Sequence, residues 1–152
     1  MREAWRIVKE RHAATAFSGE GAARAGGRWN PRGVAVVYVS STRSLAALES
    51  LVHLNPPVLF RYMTVRVEFQ EVLVETLAPR DLPADWRLQP PPPSTRSLGG
   101  SWVREARTAV LAVPSVIIPG ELNYLLNPAH PEFAEIRMGA PEPFAFDPRL
   151  VE

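Results

Sequence analysis

The chain has 152 residues, 46% of them hydrophobic, and a formal charge of +1 from 17 basic and 16 acidic side chains. That length suits one buried core and is short for two, and the balanced charge leaves no global field pulling the protein toward nucleic acid or membrane. Cysteine is absent, which excludes disulfides, thiol catalysis and thiolate metal sites. Lys9 is the single lysine, and the bias toward arginine carries no weight as a binding signal. Met1 to Glu10 mixes charges rather than opening as a secretory signal, and no apolar run reaches the length of a membrane span. The expectation is a soluble, cytoplasmic protein.

In chain order, Ala4 to Val8 reads as a first strand, and Arg11 to Gly33 as a long functional loop of glycine, alanine and polar residues. Within it, Gly26 and Gly27 let the backbone turn and a ligand approach closely. Arg28 follows directly, with a planar guanidinium suited to gripping phosphate. Val34 to Ser40 is β-branched and predicts a buried strand. Ser41 or Thr42 then caps a helix whose Leu45, Leu48, Leu51 and Val52 recur at helical spacing. Glu49 and His53, one turn apart, share a face of that helix, which Asn55-Pro56-Pro57 should stop.

Tyr62 to Gln70 alternates Met63, Val65, Val67 and Phe69 with Thr64, Arg66, Glu68 and Gln70, predicting a strand with one wet face in an antiparallel sheet. Val72 to Leu77 continues it after a bulge or begins another strand. Asp81 to Pro93, ending in four prolines, reads as a stiff extended surface connector, with a polyproline-binding partner as the lesser alternative. A helix is predicted over Ser94 to Thr108 despite Gly99 and Gly100. Ala109 to Ile118, interrupted by Pro114, predicts two short strands or an edge strand. Pro119 to Phe133 is polar and aromatic with Asn-Pro and His-Pro turns, and Phe144 to Phe146 offers a last strand. With no repeat and no boundary, the reading is a single α+β domain.

Motif searches narrow the chemistry. Neither GxGxxG nor GxxxxGK[ST] occurs, so Rossmann and P-loop devices are unsupported; HExxH and GxSxG are absent too. Three scattered histidines without cysteine give no zinc signature. What remains is Arg28, Tyr38, Glu49, His53 and Ser115. Each alone has an ordinary structural reading: a loop salt bridge, a core phenol, a helix-edge carboxylate paired with arginine, an oriented histidine, a turn cap. Together they suit one task, holding a dinucleotide and breaking a glycosidic bond through a cation-like transition state. An arginine would hold the pyrophosphate and an aromatic ring would stack on the cationic nicotinamide. A carboxylate would hold a ribose hydroxyl and stabilise the positive charge developing on the sugar. Neither metal nor thiol is required.

The residues that fit this task lie in stretches that resemble the RES domain family, the toxins of bacterial Xre–RES toxin–antitoxin modules, named for an arginine, a glutamate and a serine. The matching stretches are WRI (Trp5 to Ile7), GGRWNPRG (Gly26 to Gly33), VVYVSS (Val36 to Ser41), AALESLVHL (Ala46 to Leu54), VPSVIIPGELNYLLNPAHPEF (Val113 to Phe133) and FDPRL (Phe146 to Leu150). Asp81 to Gly100 aligns least. The resemblance implies a single RES domain over residues 1–152 with an ADP-ribosyltransferase-like α+β fold: two packed, mostly antiparallel sheets with flanking helices and a cleft for NAD. It implies NAD as substrate, no metal, and growth arrest in the bacterial cytoplasm.

Carried over by position, Arg28 would hold NAD phosphates or ribose, Tyr38 would stack on nicotinamide and Glu49 would be the catalytic carboxylate. Ser115 would bond the ligand or orient the glutamate, Arg6 and His53 would line or orient, and Asn123 and Tyr124 would be structural. The implied partner is an Xre-type DNA-binding antitoxin covering the cleft near Arg28 and Glu49, with no direct contact to nucleic acid or membrane. ADP-ribose would pass to water, phosphate or a target protein, and the motif residues do not choose among these. A non-catalytic nucleotide-binding or interaction module is the alternative from another class. A ribonuclease would want a clustered basic and aromatic surface that this chain lacks.

Overall fold

The computed structural model describes residues 1–53 and 61–151. Within them eight strands form one hydrogen-bonded sheet: β1 (Arg2–Lys9), β2 (Val37–Ser40), β3 (Tyr62–Phe69), β4 (Val74–Thr76), β5 (Val110–Pro114), β6 (Leu122–Leu126), β7 (Arg137–Met138) and β8 (Glu142–Phe144). Their order is β4-β5-β6-β2-β1-β3-β7, with β8 also pairing β3. Among the described residues only β4 and β5 run parallel. Among the described residues three α-helices flank the sheet: α1 (Glu20–Ala25), α2 (Arg43–Leu51) and α3 (Pro93–Arg104).

The two layers expected from the sequence are halves of this one curled sheet. They meet where β1 pairs β2 at Trp5 and Ser40. Ala4, Val67 and Phe69 of one half pack against Val37, Val39, Val110, Tyr124 and Leu126 of the other, and the Phe69 and Tyr124 rings meet edge to face at 5.1 Å. Side chains alternate across a strand, and β5 is buried on both faces from Val110 to Val113. Leu111, Val113 and Leu125 point the other way, into a second core with Trp29, Val36 and the fully buried Trp102 of α3.

Several predicted elements differ in extent. The strand expected from Val34 begins only at Val37, because the Asn30 side-chain amide takes the Val34 carbonyl at 3.0 Å. The expected loop from Arg11 to Gly33 contains a 3-10 turn (Glu10–Thr15) and α1, bounded by Gly19 and Gly26 at φ 77° and 72°. Thr42 caps α2, its hydroxyl accepting from the Leu45 N–H at 3.0 Å. The Asn55-Pro56-Pro57 stop lies outside the described residues, and α2 already ends at Leu51. The wet face of β3 is confined to Arg66 and Glu68: Thr64 is buried, and Tyr62 is covered edge-on by Phe146 at 5.0 Å.

The helix expected to reach Thr108 stops at Arg104, since Ala106 turns to φ 49° and the Trp102 indole donates to Thr108 Oγ1 at 2.9 Å. Ala109 to Ile118 is neither two strands nor an edge: β5 is one interior strand between β4 and β6, and Pro114 is its last residue. The tail strand falls at Glu142–Phe144, two residues earlier than expected and sharing Phe144 with the expected span. The stretch read as a surface connector is also part of the interior architecture. Pro92 is buried and Pro93 starts α3, where proline's fixed φ and missing N–H cost nothing.

Candidate functional site

Strand alternation and register assemble the site. Tyr38 and Ser40, two apart on β2, share the face opposite the inter-layer core, and the β2–β6 register sets Asn123 beside Ser40. The Ser40 hydroxyl donates to Asn123 Oδ1 at 2.7 Å, which orients the amide so that Nδ2 donates to Glu49 Oε1 at 2.8 Å. Ser115, in the turn after β5, donates to the same Oε1 at 2.9 Å. Its oxygen is itself fixed by the backbone N–H groups of Ile117 and Ile118, each at 3.1 Å. Oε1 therefore takes two donors, while Oε2 takes none among the described residues. A carboxylate held by one oxygen presents the other to a ligand.

These groups border a cleft of about 700 Å³, within the usual size of small-molecule sites. Arg6, Arg28, Tyr38, Glu49 and His53 all line it, so residues 47 positions apart along the chain converge on one cavity. Ser115 is buried and is not among the described lining residues; it stands behind Glu49. Asn123, read from the sequence as structural, lines the cleft, whereas Tyr124 belongs to the core. Glu49 is the one carboxylate among the described lining residues, against the cations Arg6, Lys9, Arg28 and Arg96. The cleft thus sets one carboxylate among four cationic side chains.

Each cation is placed differently. Arg6 is held by two carbonyls, donating from Nε to Ala16 at 2.7 Å and from Nη1 to Tyr38 at 2.9 Å, and burial pulls its pKa down to about 10. Arg28 donates from Nη1 to the carbonyls of Trp86 (2.9 Å) and Leu88 (2.7 Å), and from Nη2 to Gln89 Oε1 (2.8 Å). Partial burial lowers its pKa, while Glu49 and Tyr38 lie near enough to raise it. Arg28 thus clamps the wall formed by the segment that aligned least with the family.

Tyr38 is fixed by its hydroxyl. It donates to Asn30 Oδ1 at 2.6 Å and accepts from the Trp29 N–H at 3.1 Å. Burial holds the phenol well above its usual range, against the pull of the Trp29 N–H, Arg96 and Arg28. Asn30, fully buried, closes the turn by bonding Ala22, Pro31 and Val34 carbonyls through Nδ2. Gly27 is required beside it: a Cβ there would lie 2.7 Å from the Tyr38 oxygen. His53 lies in the turn after α2, its N–H bonded to the Ser50 carbonyl at 3.1 Å. Sequence reasoning passed over Ser40, Asn30 and Arg96 and gave Asn123 only a structural role; their signal is positional, from strand register and turn closure.

Among the described residues no group of three or more His, Cys, Asp or Glu side chains is gathered to hold a metal, and no helix is long and apolar enough to cross a membrane.

A curled, mostly antiparallel sheet with flanking helices, a cleft whose charged lining is mostly cationic, and one tethered carboxylate define an α+β protein with a candidate ligand site. The RES domain family model matches residues 3–147, and the chain belongs to that family. It is 44% identical over 154 residues to the "Prs ADP-ribosylating toxin" of Sphingobium sp. (strain YBL2), covering 97% of this chain and 95% of that protein. It is 40% identical over 148 residues to "Toxin Res" of Yersinia enterocolitica, covering 96% and 97% respectively. In fold it is similar to the M. tuberculosis MbcT–MbcA toxin–antitoxin crystal structure, with a TM-score of 0.77 at 16% identity over 95% of this chain and 84% of that one.

Proposed function

We propose that this chain is the toxin of a toxin–antitoxin pair and that it consumes NAD, cleaving the bond between nicotinamide and ribose. The observation that carries this reading is the tethering of Glu49: Oε1 is occupied by Ser115 and Asn123, and among the described residues Oε2 takes no donor, in a cleft that also holds the cations Arg6, Lys9, Arg28 and Arg96. Membership of the RES family and the similarity to a protein named an ADP-ribosylating toxin support it.

In this mechanism the C–N bond to the ribose breaks and its electron pair leaves with nicotinamide, which becomes neutral. Positive charge develops on the sugar, and Glu49 stabilises it at short range in a partly dehydrated cleft. Tyr38 offers its ring to the cationic nicotinamide, its hydroxyl being engaged with Asn30 and Trp29. Arg28 retains N–H groups at Nε and Nη2 beyond its three wall bonds, and these serve ribose or phosphate. Ser115 acts through Glu49 rather than on the ligand. Arg6 and His53 line the path, with Arg6 supplying charge beneath Tyr38. The sugar then bonds an acceptor oxygen, whose proton passes to solvent.

Water, phosphate or a side chain of a target protein fits this last step, and the site acts in the cytoplasm, where an Xre-type DNA-binding antitoxin encoded beside it covers the cleft. Similarity in fold to a toxin from a toxin–antitoxin complex supports the pairing. Mass spectrometry of the ADP-ribose-containing product, with and without phosphate and cell lysate, identifies the acceptor. Intact NAD under all three conditions contradicts the reading. The co-purified toxin–antitoxin complex should show no NAD turnover; full turnover in the complex would exclude coverage of the cleft.

A further inference from the structure

Arg96 lies in the first turns of α3 and lines the cleft, yet nothing in the family's named trio points to it. Its Nε donates to the Gly27 carbonyl at 3.2 Å, and it is close enough to Tyr38 to favour the phenolate there. No ion pair to Arg96 is formed among the described residues, and neither terminal nitrogen donates a hydrogen bond to any of them. Arg28, by contrast, has both Nη1 hydrogens and one of Nη2 committed to the wall. Of the two guanidiniums flanking Gly27, Arg96 has the open fork.

The position of that fork is built rather than incidental. Gly99, three residues on and on the same face of α3, lets the helix touch the backbone of Trp29: a Cβ at Gly99 would lie 1.6 Å from the Trp29 carbonyl oxygen. Gly27 and Asn30 close the turn containing Arg28 and Trp29, with the Gly27 N–H bonded to the Asn30 carbonyl at 3.0 Å. Helix and turn are thus locked together, and Arg96 and Arg28 stand on either side of one peptide.

We propose that Arg96 is a phosphate-binding residue of this cleft, its two terminal nitrogens taking pyrophosphate oxygens of the dinucleotide while Arg28 chiefly holds the wall. Paired N–H donors match a phosphate edge in a way a point charge does not. The inference rests on the NAD reading above, and its test separates the two.

Binding of ADP-ribose, which carries the pyrophosphate, and inhibition by nicotinamide, which carries none, are measured for the unaltered chain, Arg96→Gln and Arg96→Lys. The expected result for R96Q is ADP-ribose affinity weaker by roughly 10- to 100-fold, the scale of a charged hydrogen-bonding pair. Nicotinamide inhibition should stay within about threefold, KM for NAD should rise more than kcat falls, and R96K should be intermediate because it keeps charge but not the fork. Unchanged ADP-ribose affinity in R96Q overturns the assignment while leaving the NAD reading intact. So does an equal loss for both ligands, which marks a structural role. An unaltered chain that binds no ADP-ribose overturns the NAD reading, and this inference with it.

Discussion

The Ser115 hydroxyl donates to Glu49 Oε1 at 2.9 Å from the side away from the cleft, while its own oxygen accepts from the Ile117 and Ile118 N–H groups. Ser115 is therefore a positioning residue. Ser115→Ala should lower kcat by roughly 10- to 100-fold with KM for NAD nearly unchanged, because an interaction felt in the transition state is weakened and ground-state binding is not. It should also cost about 1–2 kcal/mol of stability, since the part-buried N–H groups of Ile117 and Ile118 lose their acceptor. Steady-state kinetics with a denaturation curve checks both, and a rise in KM at constant kcat would place Ser115 against the substrate instead.

Asn123 and Ser115 converge on one oxygen, so their effects should not add. After either is removed, Glu49 is already free to turn, and losing the second donor matters less. In a double-mutant cycle of Ser115→Ala and Asn123→Ala on kcat, the double variant should be less impaired than the product of the single effects. Strict additivity would mean that the two act on separate groups.

Burial raises the Tyr38 pKa above its ordinary value of 10. The folded state then keeps a proton that the unfolded chain releases above pH 10, so this residue's contribution to stability is present below that pH and is lost as pH rises further. Arg6, lowered to about 10, works in the opposite direction but is common to both proteins compared. Tyr38→Phe should therefore be less stable near pH 8 by about 1–3 kcal/mol, Asn30 and the Trp29 N–H having lost a partner. Its stability should also decline less steeply above pH 10. Denaturant midpoints from pH 8 to 11 test this, and parallel curves would contradict it.

Gly99→Ala, a mild change in most helices, should cost about 3 kcal/mol or more here, because the methyl would overlap the Trp29 carbonyl. Gly100→Ala meets its nearest neighbours at 3.2 Å and should cost clearly less. Melting temperatures of the pair decide it; equal losses would show that α3 does not rest on Trp29.

Much of this was legible in the sequence because it is local. Thr42 before Leu45, Leu48 and Leu51 marks α2, and β-branched Val37 and Val39 mark a buried strand. The tethering of Glu49 was not legible. It depends on β2–β6 register setting Asn123 beside Ser40, and on a turn bringing Ser115 within reach from 66 residues away. Pro114 suggested an edge because proline cannot donate to a ladder, yet at the last position of β5 it interrupts little. Gly99 looked like a cost to α3 until Trp29 was seen against it. The prolines before α3 read as solvent-exposed spacing because nothing in their composition shows that Arg28 grips the adjoining carbonyls.

The central claim is that the free oxygen of a tethered Glu49 stabilises charge as nicotinamide departs. Glu49→Gln keeps an Oε1 able to accept from Ser115 and Asn123, while it removes the negative charge and replaces the open Oε2 acceptor with an NH2 donor. Nicotinamide release from NAD by the purified chain and by E49Q, with NAD binding followed by calorimetry, tests the claim most directly. The account predicts release by the unaltered chain, a loss of roughly 100- to 1,000-fold in the variant, and binding retained in both. Equal release by the two, or none by the unaltered chain alone and with lysate, would contradict it.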